Sequence, residues 1–286
     1  MAPPDRFPPA SPAVLARLKA VKHLALDMDG TIYRGGTLFP STKPFLAQVR
    51  ALGIGCTFLT NNPSRSKTDT LAHLAAMGLS IPPDALYTST EATIDWLRTR
   101  RPDVRRLFAL ATPSMQAQLV EAGFTLTRDD HADEPDAVVV GFDMTLTYAR
   151  VCRVAWWIAQ GKPFVATNPD RVCPTDQPTV LVDCGAITAM LEKATGRAPD
   201  VVLGKPDSAM LDGILTRHGL RASEVAVVGD RLYTDVLMAH SAGALGVLVL
   251  TGESTADDAA RATPPPDLVV PSLSELGSLL AAARGA

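Results

Sequence analysis

The chain reads as an α/β protein: a doubly wound parallel sheet built from both ends of the sequence, with a second α/β unit inserted between them. Three observations predict this. Short Val/Leu-rich runs alternate with segments of helical period, as in successive βαβ units. The runs are apolar throughout rather than alternating, as strands covered on both faces are. Several of them end in Asp, Thr or Lys, and in open α/β sheets ligands bind at the carboxyl ends of the strands.

In chain order, residues 13–20 read as a short helix ahead of a first strand over 21–26, which runs into Asp27-Met28-Asp29-Gly30-Thr31. Ser41 or Thr42 is placed to cap a helix that has Pro44 in its first turn and stops near Gly53. The next strand, IGCTFLT, delivers Thr60 to Asn61-Asn62-Pro63, and a helix over 67–77 stops at Gly78. After residue 85 the alternation continues with less polar chemistry. Strands are expected at 107–110, 137–140 and 163–166, with helices over 90–100, 113–122 and 148–160. The acidic stretch 128–136 reads as a solvated loop. From Val201 onward come VVLGKPD, a helix over 207–219, EVAVVGDRLYTDV, GVLVLTG and a C-terminal surface helix. The expected organisation is a flexible tail over 1–18, a core from 19–85 with 196–286, and an inserted unit over 86–195.

Composition narrows the function classes. At 286 residues, 47% hydrophobic and 20% charged, the chain suits a folded soluble protein. A net charge of −3 disfavours nucleic acid or an anionic membrane as the main partner. No apolar run approaches the ~20 residues of a membrane span. The proline-rich N-terminus has no signal-peptide core, and Cys56, Cys152, Cys173 and Cys184 show no disulfide or metal spacing. A cytoplasmic location is expected.

Four separated segments place polar groups at or just beyond strand ends: Asp27 with Asp29, Thr60 with Asn61, Lys205, and Asp230 with Asp235. Parallel topology would gather them along one edge. Carboxylates crowded beside a lysine are costly as plain core. They suit a hard divalent cation with an anion: Mg²⁺ takes oxygen ligands and is often completed by substrate phosphate. Lys205 and the Thr60 hydroxyl would hold the phosphoryl oxygens. Each residue also has a blander reading. Asp235 could cap a helix starting near Thr234, Asn62 could shape the turn before Pro63, and Arg231 could be a surface arginine. Trp156 and Trp157, adjacent on a helix, cannot share a face, so one is core and the other a contact. The five histidines show no ligand spacing and read as structural.

DxDGT, strand-terminal Thr-Asn-Asn, GKP and GDxxxTD, in this order, resemble the four motifs of the haloacid dehalogenase (HAD) superfamily of phosphohydrolases. TNN followed by Pro-Ser-Arg-Ser, FVATNPD, VVLGKPD and GDRLYTDVLMAHSAG narrow the resemblance to the NagD-like, 4-nitrophenylphosphatase-type branch with an α/β cap. The resemblance implies a HAD core with an inserted cap, and Mg²⁺-dependent hydrolysis of small phosphomonoesters such as sugar phosphates, nucleoside monophosphates or phosphoglycolate. Asp27 would be the nucleophile that forms an aspartyl-phosphate, and Asp29 the general acid and base. Asp27, the backbone carbonyl of Asp29 and Asp230 would ligate Mg²⁺, with Asp235 orienting them. Thr60, Asn61, Asn62 and Lys205 would face the phosphoryl group, and Asp170, Arg171 and Cys173 in the cap would contact the rest of the substrate. The partner is then a small phosphorylated metabolite, with a homodimer through the cap also expected. Asp183-Cys184 departs from the Pro-Gly of the run expected in relatives, which leaves the cap geometry open. Two rivals remain: a phosphotransferase or mutase on the same aspartyl-phosphate chemistry, and a non-catalytic sensor of a phosphometabolite.

Overall fold

A computed structural model describes residues 11–173 and 178–285. Strands are numbered along the chain. The N-terminal set is β1 (His23–Asp27), a two-strand ribbon of β2 (Tyr33–Arg34) and β3 (Thr37–Leu38), β4 (Gly55–Thr60) and β5 (Leu86–Thr88). Next come β6 (Arg106–Leu110), β7 (Thr125–Leu126), β8 (Ala137–Val140), β9 (Phe164–Ala166), a second ribbon of β10 (Val172–Cys173) and β11 (Leu181–Val182), and β12 (Val201–Val202). The last three are β13 (Val225–Gly229), β14 (Leu245–Val249) and β15 (Leu268–Val270).

Six strands form one sheet in the order β15-β14-β13-β1-β4-β5. β1 pairs in parallel with β13 on one side and β4 on the other, so the chain winds outward twice from the same central strand. β1, β13 and β14 are buried at every position, which accounts for their uninterrupted apolar sequence. The five other main strands form a second parallel sheet, β12-β9-β8-β6-β7. Here successive residues feed opposite faces: Leu107 and Ala109 enter one apolar cluster, Phe108 and Leu110 the other.

The chain divides into two compact units. The first holds the residues up to Leu59, Leu74–Leu86 and those from Leu211 onward; the second holds Thr60–His73 and Tyr87–Met210. These boundaries differ from the expected ones at 85/86 and 195/196. The reason is pairing: Val201 and Val202 bond to Val165 and Ala166 of β9, so the strand leading to Lys205 is an edge of the second sheet.

Other expectations are corrected as well. Residues 1–10 of the expected tail lie outside the described residues, but 11–18 are not a tail. Ser11 accepts the N–H of Val14 and caps the helix Pro12–Ala20, whose Leu18 is fully buried. The C-terminal helix Leu273–Arg284 is a surface helix as expected, exposing Ser274, Glu275 and Ser278 and burying Leu273, Leu276 and Leu280 on its other face. The stretch 128–136 is irregular but tied down, with Asp133 paired to Arg106 and Arg128 and Asp136 accepting the backbone N–H groups of Arg105 and Arg106. Trp157 is core and Trp156 is half exposed. Cys56, Cys152 and Cys184 are free thiols, and among the described residues no helix is long and apolar enough to cross a membrane.

Candidate active site

Asp27 is the last residue of β1, register-paired with Leu59 of β4. Beyond it the chain turns sharply. The Met28 carbonyl accepts the N–H groups of Thr31, Ile32 and Tyr33, Gly30 donates to Tyr33, and Gly30 itself sits at φ +84°. That backbone region is open to glycine at little cost, which explains the residue there. The turn also leaves Asp29 exposed, whereas Asp27 is buried and receives a long hydrogen bond (3.4 Å) from the Thr31 hydroxyl.

β13 ends at Gly229 and hands on to Asp230, while Asp235 lies in a π-helical turn, Leu232–Val236, where an ordinary helix start at Thr234 was expected. Asp27, Asp230 and Asp235 each present a carboxylate oxygen within 4.8 Å of the other two, and all three residues are buried. The surrounding glycines make room for them. A Cβ on Gly252 would lie 1.9 Å from Asp230 Oδ2, one on Gly30 would lie 2.4 Å from the same oxygen, and one on Gly229 would lie 2.1 Å from Asp235 Cγ.

Electrostatics makes this group unusual. Burial, then the neighbouring Asp27 and Asp235, push the Asp230 carboxyl well above the ordinary range. Asp230 Oδ2 accepts the Glu253 N–H at 2.7 Å, but Oδ1 is buried with no hydrogen-bond partner among the described residues. A buried carboxylate oxygen left unpaired is a costly feature unless something else meets it. An all-oxygen donor set with an open lone pair fits a hard divalent cation.

Asp235 also accepts from the Arg231 N–H and the Thr234 hydroxyl, so it orients the turn as well as joining the group. Arg231 is not a free surface arginine. It pairs with Glu253 at 2.9 Å, and Tyr233 donates to the same carboxylate at 2.8 Å. The loop after β14 was missed as part of the site: Thr251 donates to Gly30 O at 2.6 Å, and Glu253 supplies its N–H to Asp230. The only signal for it in the sequence is that GVLVLTG is also a buried strand ending in polar residues.

In the second unit, Lys205 is 4% exposed and held through its backbone. Asn61 Oδ1 accepts the Lys205 N–H at 2.7 Å, and Asn61 Nδ2 donates to the Lys205 carbonyl at 2.9 Å. Gly204, at φ +77°, permits this: a Cβ there would lie 2.8 Å from Asn61 Oδ1. Both ends of the Asn61 side-chain amide are thus engaged with the Lys205 backbone. Thr60 is half-buried and its hydroxyl accepts the Asn62 N–H. Asn62 turns the chain through Ser64, as its blander reading held, and its amide nitrogen lies 3.8 Å from Cys173 Sγ.

Of the expected specificity residues, Asp170 is half-buried and Arg171 exposed, while Pro174 lies outside the described residues. The Asp183-Cys184 departure has a structural account. Asp183 caps the helix Cys184–Thr195 and accepts from Asn168 at 3.0 Å, and the buried Cys184 thiol donates to Val140 O.

Two family models match the chain: Haloacid dehalogenase-like hydrolase over residues 24–125, and a HAD-hydrolase-like model over 202–276. The ribonucleotide monophosphatase NagD of Escherichia coli K12 is 32% identical over 256 residues, 90% of this chain and 98% of that protein. The crystal structure of a 4-nitrophenylphosphatase from Thermotoga maritima superposes with a TM-score of 0.86 at 38% identity, covering 92% of this chain and 98% of that one. A glycerol phosphate phosphatase from Mycobacterium tuberculosis, solved in complex with magnesium, matches at 32% identity and TM-score 0.84, over 92% of this chain and 79% of that one.

Proposed function

Because the chain belongs to the haloacid dehalogenase-like hydrolases, in their NagD-like phosphatase branch, we propose that it hydrolyses small phosphomonoesters with Mg²⁺ through an aspartyl-phosphate on Asp27. The enzyme is a phosphoric monoester hydrolase. The observation that carries the finer reading is the buried trio Asp27, Asp230 and Asp235 at strand ends, with one Asp230 oxygen unpaired.

Asp27, Asp230 and the backbone carbonyl of Asp29 would hold the cation, and Asp235 would keep Asp230 and its turn in position. Bound there, Mg²⁺ supplies positive charge against the carboxylates and the phosphoryl oxygens. The chain's own groups do the bond making. A carboxylate oxygen of Asp27 attacks phosphorus and the ester P–O bond breaks, while Asp29 passes its proton to the departing alkoxide. Asp29, now ionised, takes a proton from water as that water attacks phosphorus. The Asp27–phosphate bond breaks and inorganic phosphate leaves. The exposure of Asp29 suits a group that must meet the attacking water in the second half.

Lys205, clamped by Asn61, and the Thr60 hydroxyl are assigned to the phosphoryl oxygens, where charge develops in the transition state. Asn62 reaches Cys173, and these two with Asp170 and Arg171 are assigned to the leaving group. The substrate class stays at small phosphomonoesters, since relatives at nearly equal identity act on ribonucleotides and glycerol phosphate by their names. A cytoplasmic location belongs to the same reading, in keeping with the free thiols of Cys56, Cys152 and Cys184.

Phosphate release from a panel of such esters tests the proposal. Turnover should need Mg²⁺, vanish with EDTA, and fall at least about a thousandfold in Asp27→Asn. Undiminished turnover in that variant, or in EDTA, would overturn the assignment. Phosphoryl transfer to an added alcohol with little free phosphate would favour the transferase reading.

A further inference from the structure

The helix Thr42–Ala51 has two distinct faces. Thr42, Phe45 and Val49 are buried in the core. Lys43, Leu46, Ala47 and Arg50 follow the i, i+3, i+4, i+7 spacing, so they form one stripe along the neighbouring face. That stripe is cation, apolar, apolar, cation. It walls a cavity of about 480 Å³ within the first unit, lined also by Gly55, Cys56 and Phe58 of β4 and by residues between Gly78 and Ala85.

The lining divides clearly by chemistry. Ile54, Phe58, Leu79, Ile81 and Pro82 make it apolar, and Lys43 and Arg50 are its charged groups. No Asp or Glu lines it, and among the described residues neither cation has a carboxylate partner. Cys56 adds no negative charge, because burial pushes its thiol up to about 12. Lys43 is set close against the chain at Gly78: its ammonium would lie 3.0 Å from a Cβ there, and Gly78 at φ +78° ends the helix before it. The same lysine walls a smaller hollow of about 350 Å³ with Phe39, Pro40 and Met77. The larger volume falls within the range of small-molecule sites, which are mostly apolar with a few placed polar groups.

We propose that this cavity binds a small organic anion with an apolar body, a medium-chain alkyl carboxylate being the representative, its head between Lys43 and Arg50. The argument is charge complementarity. An apolar body would cover Leu46, Ala47, Ile81 and Pro82, which are not buried, and an anionic head meets two cations that have no acid of their own. Of β4 the site takes Gly55, Cys56 and Phe58, and neither Asp27, Asp230 nor Asp235 lines it. The proposal therefore stands independently of the phosphatase reading.

Calorimetric titration of the full chain with sodium octanoate, and in parallel with octan-1-ol, tests it. Octanoate should bind, and the alcohol should bind at least about tenfold more weakly. The double variant Lys43→Ala/Arg50→Ala should reduce octanoate to the level of the alcohol. Ala47→Trp, an exposed position on the same stripe, should fill the cavity and abolish both while leaving phosphatase turnover intact. Equal affinity for acid and alcohol, no binding at millimolar octanoate, or binding that survives Ala47→Trp would each overturn the proposal.

Discussion

Asp27 and Asp230 were legible as single residues because each closes or follows a buried apolar run, a position where a carboxylate has few structural uses, and Asp235 because it completes GDxxxTD. The hold of Asn61 on Lys205 was not legible, since a sequence cannot say that both ends of an amide are taken by the backbone of a residue 144 positions away. Glu253 and Thr251 went unseen because they act through a backbone N–H and a hydroxyl on the backbone, which have no motif. A second residue-scale consequence concerns His23, at the start of β1. Its ring stacks on His218 at 4.4 Å, its Nε2 lies 2.8 Å from the Thr57 hydroxyl, and burial, then His218, lower it to about 4. Between about 4 and the ordinary value of 6.5 the unfolded chain binds the proton and the folded chain does not. The contribution of neutral His23 is thus complete above pH 6.5 and is lost as pH falls, by about 3 kcal/mol once pH reaches 4. Denaturant titrations at pH 7 and pH 4.5 should show this slope in the wild type and a shallower one in His23→Asn. Equal slopes would remove His23 as the cause. Asp29→Asn keeps the backbone carbonyl and the buried trio, so it should retain Mg²⁺ binding but lose about 10²–10⁴ in kcat.

At the scale of elements, the long buried strands and the helices between them were readable from period alone, whereas β5 and β15, three residues each, were not. The sheet to which Val201 and Val202 belong depends on β9, a partner 36 residues upstream. The π-helical turn over Leu232–Val236 was likewise hidden, since TDV reads as an ordinary helix start and the wider turn is set by the bonds of Asp235 to Arg231 and Thr234. The loop after β14 carries the prediction at this scale. Gly252 is not at a positive φ, yet a Cβ there would press on Asp230 from 1.9 Å. Gly252→Ala should therefore displace Asp230 and weaken Mg²⁺ affinity at least about tenfold, read by titrating Mg²⁺ against turnover. Gly36→Ala, likewise without a positive φ but with nothing within 4 Å of the new methyl, is the control. If both variants titrate like the wild type, the close packing around Asp230 has no bearing on the cation.

For the whole molecule, the helix Tyr148–Ala159 exposes Tyr148, Cys152 and Trp156 along one stripe at i, i+4, i+8, with Met144 and Leu146 exposed in the loop before it. This is the face on which the homodimer expected from the resemblance would form. Light scattering after size exclusion should give twice 30.3 kDa for the wild type and a monomer for Tyr148→Glu/Trp156→Glu. A monomeric wild type would end that proposal. The order of the first sheet has a different consequence, one of timing. β1 emerges from the ribosome early and can find β4 soon after, but its other neighbour, β13, begins 202 positions after it at Val225. Until then one edge of the central strand is unpaired, and Leu24, Ala25 and Leu26 lack their cover on that side. Such an edge is a template for pairing with another nascent chain. The carboxylate Asp27 carries toward the site thus waits for Asp230 until most of the protein has been made. Chains that terminate before β13 should accumulate as aggregates rather than as a folded half.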